Sequence, residues 1–326
     1  MYSVFFTIIV PIYNVAQYLE KCIKSILQQE KADFEVILVN DGSTDGSEKI
    51  CMAFSLDPRV IILQKENGGL SDARNYAHRY INGKYVLYLD ADDYIESKTF
   101  LYESKKILQD MSDIDMLIFG YKKYFEEKDI FKVYLPNIKE KVVVCNFSDA
   151  IEKGYYILSA WGKVIKADYI KKGLEFEKGV LCEDMLWCVE LALKVKKIVI
   201  RKDASYIYCQ RNNSISKITT EKKIVDIENN IINSISLVQK YNKNRIKKEQ
   251  IYCFIAQYYS MYIICLSLMP KKEQKTHYVF MEKYKELLRY GNRKREKILW
   301  LMFKIFGPIT SLRIIRKVKN NLDKRK

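Results

Sequence analysis

The chain has 326 residues, 48% of them apolar and 29% charged, with a formal net charge of +16. That balance describes a globular chain with room for one large or two modest domains, and argues against a disordered one. Eight cysteines without CxxC spacing argue against a zinc site or a disulfide framework, and with only His78 and His277 present a histidine metal site or a Ser-His-Asp triad has too few ligands or bases. The charge is unevenly placed: from Arg289 to Lys326 there are 13 Lys or Arg against Glu296 and Asp323, a net +11, which leaves +5 for the rest. Met1–Asn14 lacks the charged n-region and small-residue cleavage site of a signal peptide, so reduced cysteines and a cytoplasmic location are expected.

In chain order, Phe5–Val10 reads as a buried strand ended by Pro11, and Asn14 is placed to cap a helix from Val15 to about Gln29. A second strand, Phe34–Val39, runs into Asn40-Asp41-Gly42-Ser43-Thr44-Asp45, where Gly42 permits a tight turn and Ser43 or Thr44 can cap the next helix. Val60–Leu63 is a third strand, leading to Glu66-Asn67-Gly68-Gly69-Leu70-Ser71. Ser71 reads as the cap of a helix from Asp72 to Ile81, with Gly83 as its stop. The fourth strand, Tyr85–Leu89, delivers Asp90, Asp92 and Asp93 where it should end. Carboxylates are hard oxygen ligands, and a cluster of them at a strand's end suits Mg²⁺ or Mn²⁺ together with substrate phosphates.

This alternation of strand and helix predicts a parallel, doubly wound α/β sheet. Its strand ends share one edge, so the polar clusters at Asn40-Asp41, Asn67-Gly68-Gly69 and Asp90-Ala91-Asp92-Asp93 should face a single crevice. Beyond Asp93 the pattern predicts a helix over Ser97–Gln109, a strand at Met116–Phe119 and a hairpin within 120–145. Trp161-Gly162-Lys163-Val164-Ile165 leads into a Lys-rich helix, Glu183-Asp184 opens an apolar-periodic one, and Ile198–Ile200 and Tyr206–Cys209 read as separate strands. Long helices begin near Ser216–Glu221, which sets a boundary between 1–217 and a helical region 218–326. Ile251–Met269 carries no charge over a length that could span a bilayer, but Tyr252, Tyr258, Tyr259, Tyr262, Gln257, Ser260 and Ser267 favour the buried helix of a small bundle.

Four ordered motifs, Val10-Pro11-Ile12-Tyr13-Asn14, Val39-Asn40-Asp41-Gly42-Ser43-Thr44-Asp45, Asn67-Gly68-Gly69-Leu70-Ser71 with Ala73-Arg74-Asn75, and Asp90-Ala91-Asp92-Asp93, resemble those of glycosyltransferase family 2. The resemblance is close over roughly 4–100, looser at Trp161-Gly162-Lys163, Glu183-Asp184 and Tyr208 through Ser216, and does not reach the region after about 220. It implies the GT-A fold, a Rossmann-like, mostly parallel sheet with flanking helices over 1–217, followed by the C-terminal helical region. It also implies an inverting transfer from a UDP-sugar to a glycan, with Mn²⁺ or Mg²⁺ on Asp92. By the same resemblance Asp90 contacts the ribose or the metal, and Asp41 accepts a hydrogen bond from the uracil. Pro11 and Tyr13 line the base pocket, Asn14, Asn67, Gly68 and Ala91 also bind the nucleotide-sugar, and Arg74 pairs with the nucleotide or the acidic cluster. Asp184 of the Glu183-Asp184 pair is the expected base, although acidic residues also stabilise a helix start through its dipole. Arg211 and Ser214 could close over the diphosphate, while Trp161, Lys163 and Glu183 shape the acceptor site; a core tryptophan is an equal reading of Trp161. The Gln-x-x-Arg-Trp motif of processive members is absent, since Gln210 is followed by Arg211-Asn212-Asn213-Ser214, which argues for adding one sugar at a time.

The C-terminal region interleaves Ile298, Leu299, Trp300, Leu301, Phe303, Ile305 and Phe306 with Lys297 and Lys304, then Ile314, Ile315 and Val318 with Arg313, Arg316, Lys317 and Lys319. Basic residues beside Trp, Phe and Leu on an amphipathic helix suit the surface of an anionic membrane, so a peripheral position on the inner face of the cell membrane and a lipid-linked glycan acceptor are expected. No nucleic-acid-binding motif is present. Self-association is left open. One rival, a sugar-phosphate nucleotidyltransferase, would need a Gly-rich phosphate loop after the first strand, where Pro11-Ile12-Tyr13-Asn14 stands instead. Another is a catalytically inactive nucleotide-sugar-binding or scaffold protein, against which the set Asp41, Asp90, Asp92 and Asp184 argues.

Overall fold

The computed structural model describes residues 4–210, 219–241 and 248–323, which fall into two compact units. The first comprises 4–179 and 194–210, the second 180–193 and the described residues from 219 onward. The expected boundary at 217 and 218 lies outside the described residues.

The first unit is built on β1 (Val4–Ile12), β2 (Phe34–Asp41), β3 (Val60–Lys65) and β4 (Gly83–Tyr88), all parallel and ordered β3-β2-β1-β4. β1 from Phe6 onward and all of β2 are buried, which is why they read as continuous apolar runs rather than alternating ones. Pro11 is tolerated within β1 because pairing with β4 has already ended at Ile9, although pairing with β2 continues to Ile12. Past β4 the sheet becomes mixed: β9 (Lys163–Lys166) runs antiparallel between β4 and β6 (Met116–Phe125), and β10 (Lys197–Gln210) lies parallel to β6. β7 (Ile130–Tyr134) completes the expected hairpin with β6, while β5 (Tyr94–Ile95) and β8 (Val142–Asn146) pair with β10. The two strands expected at 198–200 and 206–209 are one strand with a bulge between Arg201 and Tyr206. There Asp203 accepts hydrogen bonds from Ser205 and the Arg201 guanidinium, so the polar interruption stays bonded.

The helix starts differ from expectation, and each difference has a tertiary cause. Asn14 does not cap α1 (Ala16–Leu27): it takes a left-handed φ of 50° and its Oδ1 accepts from Thr44 N at 2.8 Å. The Ala16 N–H instead donates to Asp45 Oδ2 at 2.8 Å, from the loop after β2. Asp45 Oδ1 also accepts from Ser47 N, the first residue of α2 (Ser47–Ala53), so one carboxylate serves two helix starts in place of Ser43 or Thr44. Its pKa is held below the usual range because, although burial works against the charge, these hydrogen bonds outweigh it. α3 (Leu70–Ala77) begins at Gly69, before Ser71, which is buried inside its first turn. Gly83 opens β4 rather than stopping that helix: a Cβ there would lie 2.4 Å from Thr7 N, so only glycine lets β4 approach β1. α4 (Phe100–Asp110), α5 (Phe147–Glu152) and α6 (Ala167–Lys171) complete the unit.

The second unit is helical: α7 (Asp184–Lys194, all but its last residue), α8 (Glu221–Tyr241), α9 (Lys248–Leu268), the short α10 (Lys271–Gln274) and α11 (Tyr278–Tyr284), and α12 (Lys294–Asp323). α9, which carries the charge-free stretch from Ile251 onward, is 78% buried over its most apolar window. Three of its polar residues are bonded inside the unit: Tyr259 Oη donates to Met281 O, Tyr262 Oη to Glu228, and Ser260 Oγ to Glu296. That is the bundle helix the tyrosines favoured. α12 breaks at Gly307 (φ 71°) before Pro308. Leu299 and Phe303 pack inward, while Ile298, Leu301 and Ile305 are 57%, 57% and 62% exposed on another face.

Gly83→Ala is expected to destabilise the sheet by about 2 kcal/mol, within the range for overpacking a tight contact. Urea unfolding measures it, and a loss under about 0.5 kcal/mol, the size of a neutral surface change, would show that the two strands can part.

Candidate active site

The parallel register brings the C-terminal ends of β1, β2, β3 and β4 to one edge, and with them Tyr13, Asn14, Asp41, Asn67, Gly68, Arg74, Asp90, Ala91 and Asp92. Pro11 is buried just below and Tyr13 is 49% exposed at the rim.

Asp41 is only 2% exposed, and its charge is matched by the loop after β3. Lys65 Nζ and Gly68 N donate to its Oδ1, Gly69 N and Asn67 Nδ2 to its Oδ2. A uracil would reach this carboxylate only by displacing one of these donors, so in the structure Asp41 orders the loop. Gly42 belongs to the same joint, since its φ is +70° and a Cβ would lie 2.8 Å from Asn67 N. Lys65 also pairs with Asp72 at 2.7 Å; burial opposes its charge, but the hydrogen bonds to Asp41 and Asp72 prevail and hold its pKa above the usual lysine value.

α3 then carries Arg74 to the carboxylates. Its guanidinium is buried against the rings of Phe176 and Tyr88, and Nη2 donates to Asp90 Oδ1 at 2.9 Å. Asn75, the next residue, exchanges two hydrogen bonds with the backbone of Phe176 and so fixes that ring under Arg74. The acidic-cluster partner expected for Arg74 is therefore the one present.

The three carboxylates occupy different environments. Asp90 is 25% exposed, Asp92 half-buried and Asp93 1% exposed. Asp93 accepts from Tyr206 Oη at 2.6 Å and from Cys209 N at 2.8 Å, which anchors the carboxylate loop to β10. Burial, then the charges of Asp92 and Asp90, push its pKa well above the ordinary carboxylate value. Asp90 and Asp92, the two carboxylates of the run that are not fully buried, present hard oxygen donors of the kind a divalent cation takes. No group of three or more His, Cys, Asp or Glu able to hold a metal occurs among the described residues. An ion at Asp92 and Asp90 would therefore draw its other ligands from substrate phosphates and water, as Mg²⁺ commonly does.

Trp161 and Lys163 reach the same edge through β9, where Trp161 stays half-buried and Lys163 is committed to packing. Trp161 stacks on Tyr206 with centroids 4.8 Å apart. Lys163 is 1% exposed, and its ammonium donates to Ile157 O, Ser159 O and Trp161 O, holding the preceding loop closed. Glu183 and Asp184, which opens α7, belong to the second unit. Arg211 and Ser214 lie outside the described residues.

Residues that the sequence pattern did not single out are Lys65, Asp93 as an anchor, Tyr206 and His78. His78 sits behind Arg74, with Nε2 2.9 Å from Tyr88 Oη and Nδ1 buried without a partner. Burial, then the Arg74 charge, lower its pKa to about 4.

A model of Glycosyl transferase family 2 matches residues 7–142. The chain is 37% identical to glycosyltransferase GlyA of Streptococcus pneumoniae serotype 4 over 225 residues, 66% of this chain but only 32% of GlyA, so it spans about a third of that relative's length. It is 31% identical to glycosyltransferase GlyG of the same organism over 222 residues, 65% of this chain and 72% of GlyG. Among solved structures, S. aureus TarS 1–349 in complex with UDP-GlcNAc superposes with a TM-score of 0.71, covering 97% of this chain and 92% of that one at 20% identity, which is a likeness of fold.

A histidine held neutral in the folded state destabilises it as the pH falls, because the unfolded chain takes up the proton first, near 6.5, and the folded chain only near 4. Between pH 7 and pH 4 the protein is therefore expected to lose about 2–3 kcal/mol more stability than His78→Gln does. Urea unfolding at both pH values checks this, and equal losses would contradict it.

Proposed function

The chain belongs to glycosyltransferase family 2, and we propose that it transfers single sugars from a UDP-sugar to a glycan acceptor, inverting the anomeric carbon, with Mn²⁺ or Mg²⁺ held at Asp92. The observation that carries this reading is the convergence, on one sheet edge, of the Asp41-ordered loop, the Arg74–Asp90 pair and the half-buried Asp92.

In this reading Tyr13, Asn14 and Pro11 form the wall for the base, and Asp41 sets the loop of Asn67 and Gly68 against it. Arg74 holds Asp90 in one orientation, so that Asp90 and Asp92 meet the ribose and diphosphate without reorganising when charge develops. Asp92, with Asp90 beside it, would hold a divalent ion, which would supply positive charge to the diphosphate leaving group. Asp93 keeps the loop in register through Tyr206 and Cys209 and takes no part in ligation. Asp184 removes the acceptor's proton as its oxygen attacks; a single displacement with one base inverts the centre, whereas a covalent intermediate would retain it. Trp161 borders the acceptor, and Lys163 serves it indirectly by holding the loop that ends at Trp161. The absence of Gln-x-x-Arg-Trp after Gln210 supports addition of one sugar at a time.

The acceptor in this reading is lipid-linked, and the protein rests on the inner face of the cell membrane through α12. The break at Gly307 and Pro308 leaves two helices, each shorter than the roughly 20 residues a span requires, which favours lying in the interface over crossing it. Exposed Ile298, Leu301 and Ile305 supply the apolar face, and Lys297 and Lys304 flank it.

Incubation with a panel of UDP-sugars and Mn²⁺ or Mg²⁺ should release UDP from one donor. EDTA should abolish the release, and Asp92→Ala should lower it at least about 100-fold, the scale of losing one transition-state charge partner; undiminished turnover in that variant would overturn the assignment. Replacing Ile298, Leu301 and Ile305 together by Ser should release the protein from phosphatidylglycerol vesicles in co-sedimentation. Retention equal to wild type would exclude α12 as the anchor.

A further inference from the structure

Strands β6, β7 and β10 carry a patch that the donor chemistry does not use. The register sets Tyr206 beside Tyr121 and Tyr121 beside Tyr134; two residues along, on the same face, Tyr208 lies beside Lys123 and Lys123 beside Lys132. Trp161 closes the inner end, stacked on Tyr206 and 5.0 Å and 5.1 Å from the rings of Tyr121 and Tyr208. Tyr121 and Tyr134 stack in turn, with centroids 4.8 Å apart and planes within 8°. Tyr121, Lys123, Tyr134 and Tyr208 are half-buried and Lys132 is exposed, so the patch faces solvent.

The two lysines are the unusual feature. Lys123 Nζ lies 5.5 Å from the Tyr134 centroid and 5.6 Å from that of Tyr208, and Lys132 Nζ lies 5.4 Å from Tyr134. Two ammonium groups share one aromatic ring, and among the described residues neither has a carboxylate partner. Like charges so placed repel, and an anion between them would relieve the repulsion. Rings beside cations offer flat apolar surfaces for the C–H faces of sugars and point charges for the groups attached to them. The inner end of the patch touches the carboxylate edge, since Tyr206 Oη donates to Asp93, the neighbour of Asp92.

We propose that this patch binds the acceptor as an anionic glycan, with its phosphodiester or uronate groups on Lys123 and Lys132 and its sugar faces on Tyr134, Tyr208 and Trp161. The inference rests on the reading of the chain as a sugar transferase and adds the charge class of the acceptor and the path of the chain toward Asp92. With a net charge of only +5 before residue 289, the body lacks the dense basic surface that nucleic acid requires.

The test is fluorescence anisotropy of the full chain with labelled hexamers of glycerol phosphate, galacturonate, maltose and thymidylate. One of the two anionic glycans should bind at least tenfold more tightly than the maltose and thymidylate hexamers, and which one identifies the charged group. The double variant Lys123→Gln/Lys132→Gln should lose at least tenfold of that affinity, and Tyr134→Ala should lose affinity at unchanged ionic strength. Equal binding of the maltose hexamer, tighter binding of thymidylate, no binding of either anionic glycan, or full affinity in the double variant would each overturn the proposal. Donor turnover by the same wild-type preparation separates the two levels. UDP release without the lysine-dependent binding defeats this inference alone, and absence of both defeats the transferase reading beneath it.

Discussion

The buried carboxylate of Asp41 sets the geometry of the donor edge. A charge 2% exposed at the end of a central strand requires full compensation, and it receives it from Lys65 and from the backbone of Gly68 and Gly69. Those bonds determine where α3 begins, and the start of α3 determines where Arg74 lies one turn later, under Asp90. The glycines follow from the same joint. Gly42 must turn through positive φ against Asn67, and at Gly68 a Cβ would lie 2.2 Å from Asp72 Oδ2. The loop is thus a consequence of one desolvated charge, and its stiffness is what a preorganised site needs.

The Asp90-Ala91-Asp92-Asp93 run shows how one short sequence divides its labour by burial. Asp93 points inward to Tyr206 and the Cys209 amide, and Asp90 is held by Arg74, so each has a defined orientation before any substrate arrives. Tyr206 links this loop to the aromatic face of β6, β7 and β10, because its hydroxyl reaches Asp93 while its ring stacks on Trp161. The carboxylate loop and the aromatic face therefore both lean on β10, through Tyr206.

The helical unit obeys a different constraint. Its most buried helix, α9, is stabilised by burial and by the hydroxyl groups of Tyr259, Ser260 and Tyr262, which find partners within the bundle, with His277 placed between Glu221 and Glu228. α12 divides its apolar residues between an inward and an outward face, and an outward row of three aliphatic side chains beside lysines is what distinguishes it from the other helices.

The sequence by itself determined the strand and helix alternation through Asp93, the clustering of polar strand ends on one edge and the family, and it favoured a buried helix at Ile251–Met269. These rest on period, turn chemistry and motif order, all of which act over a few residues. Only the tertiary structure decided that Asp45 rather than Asn14 starts α1, that Gly83 is a close contact rather than a stop, and that 197–210 is one bulged strand. It also decided that Lys163 is buried in its own loop and that Asp93 is an anchor. Apart from Lys163, whose acceptors lie within six residues, each of these turns on a partner remote in the chain or on a backbone approach: Asp45 is 29 residues from Ala16, and Tyr206 is 113 from Asp93. A local pattern gives the type of a side chain but not its desolvation, and desolvation decides whether a carboxylate binds a ligand or holds the fold.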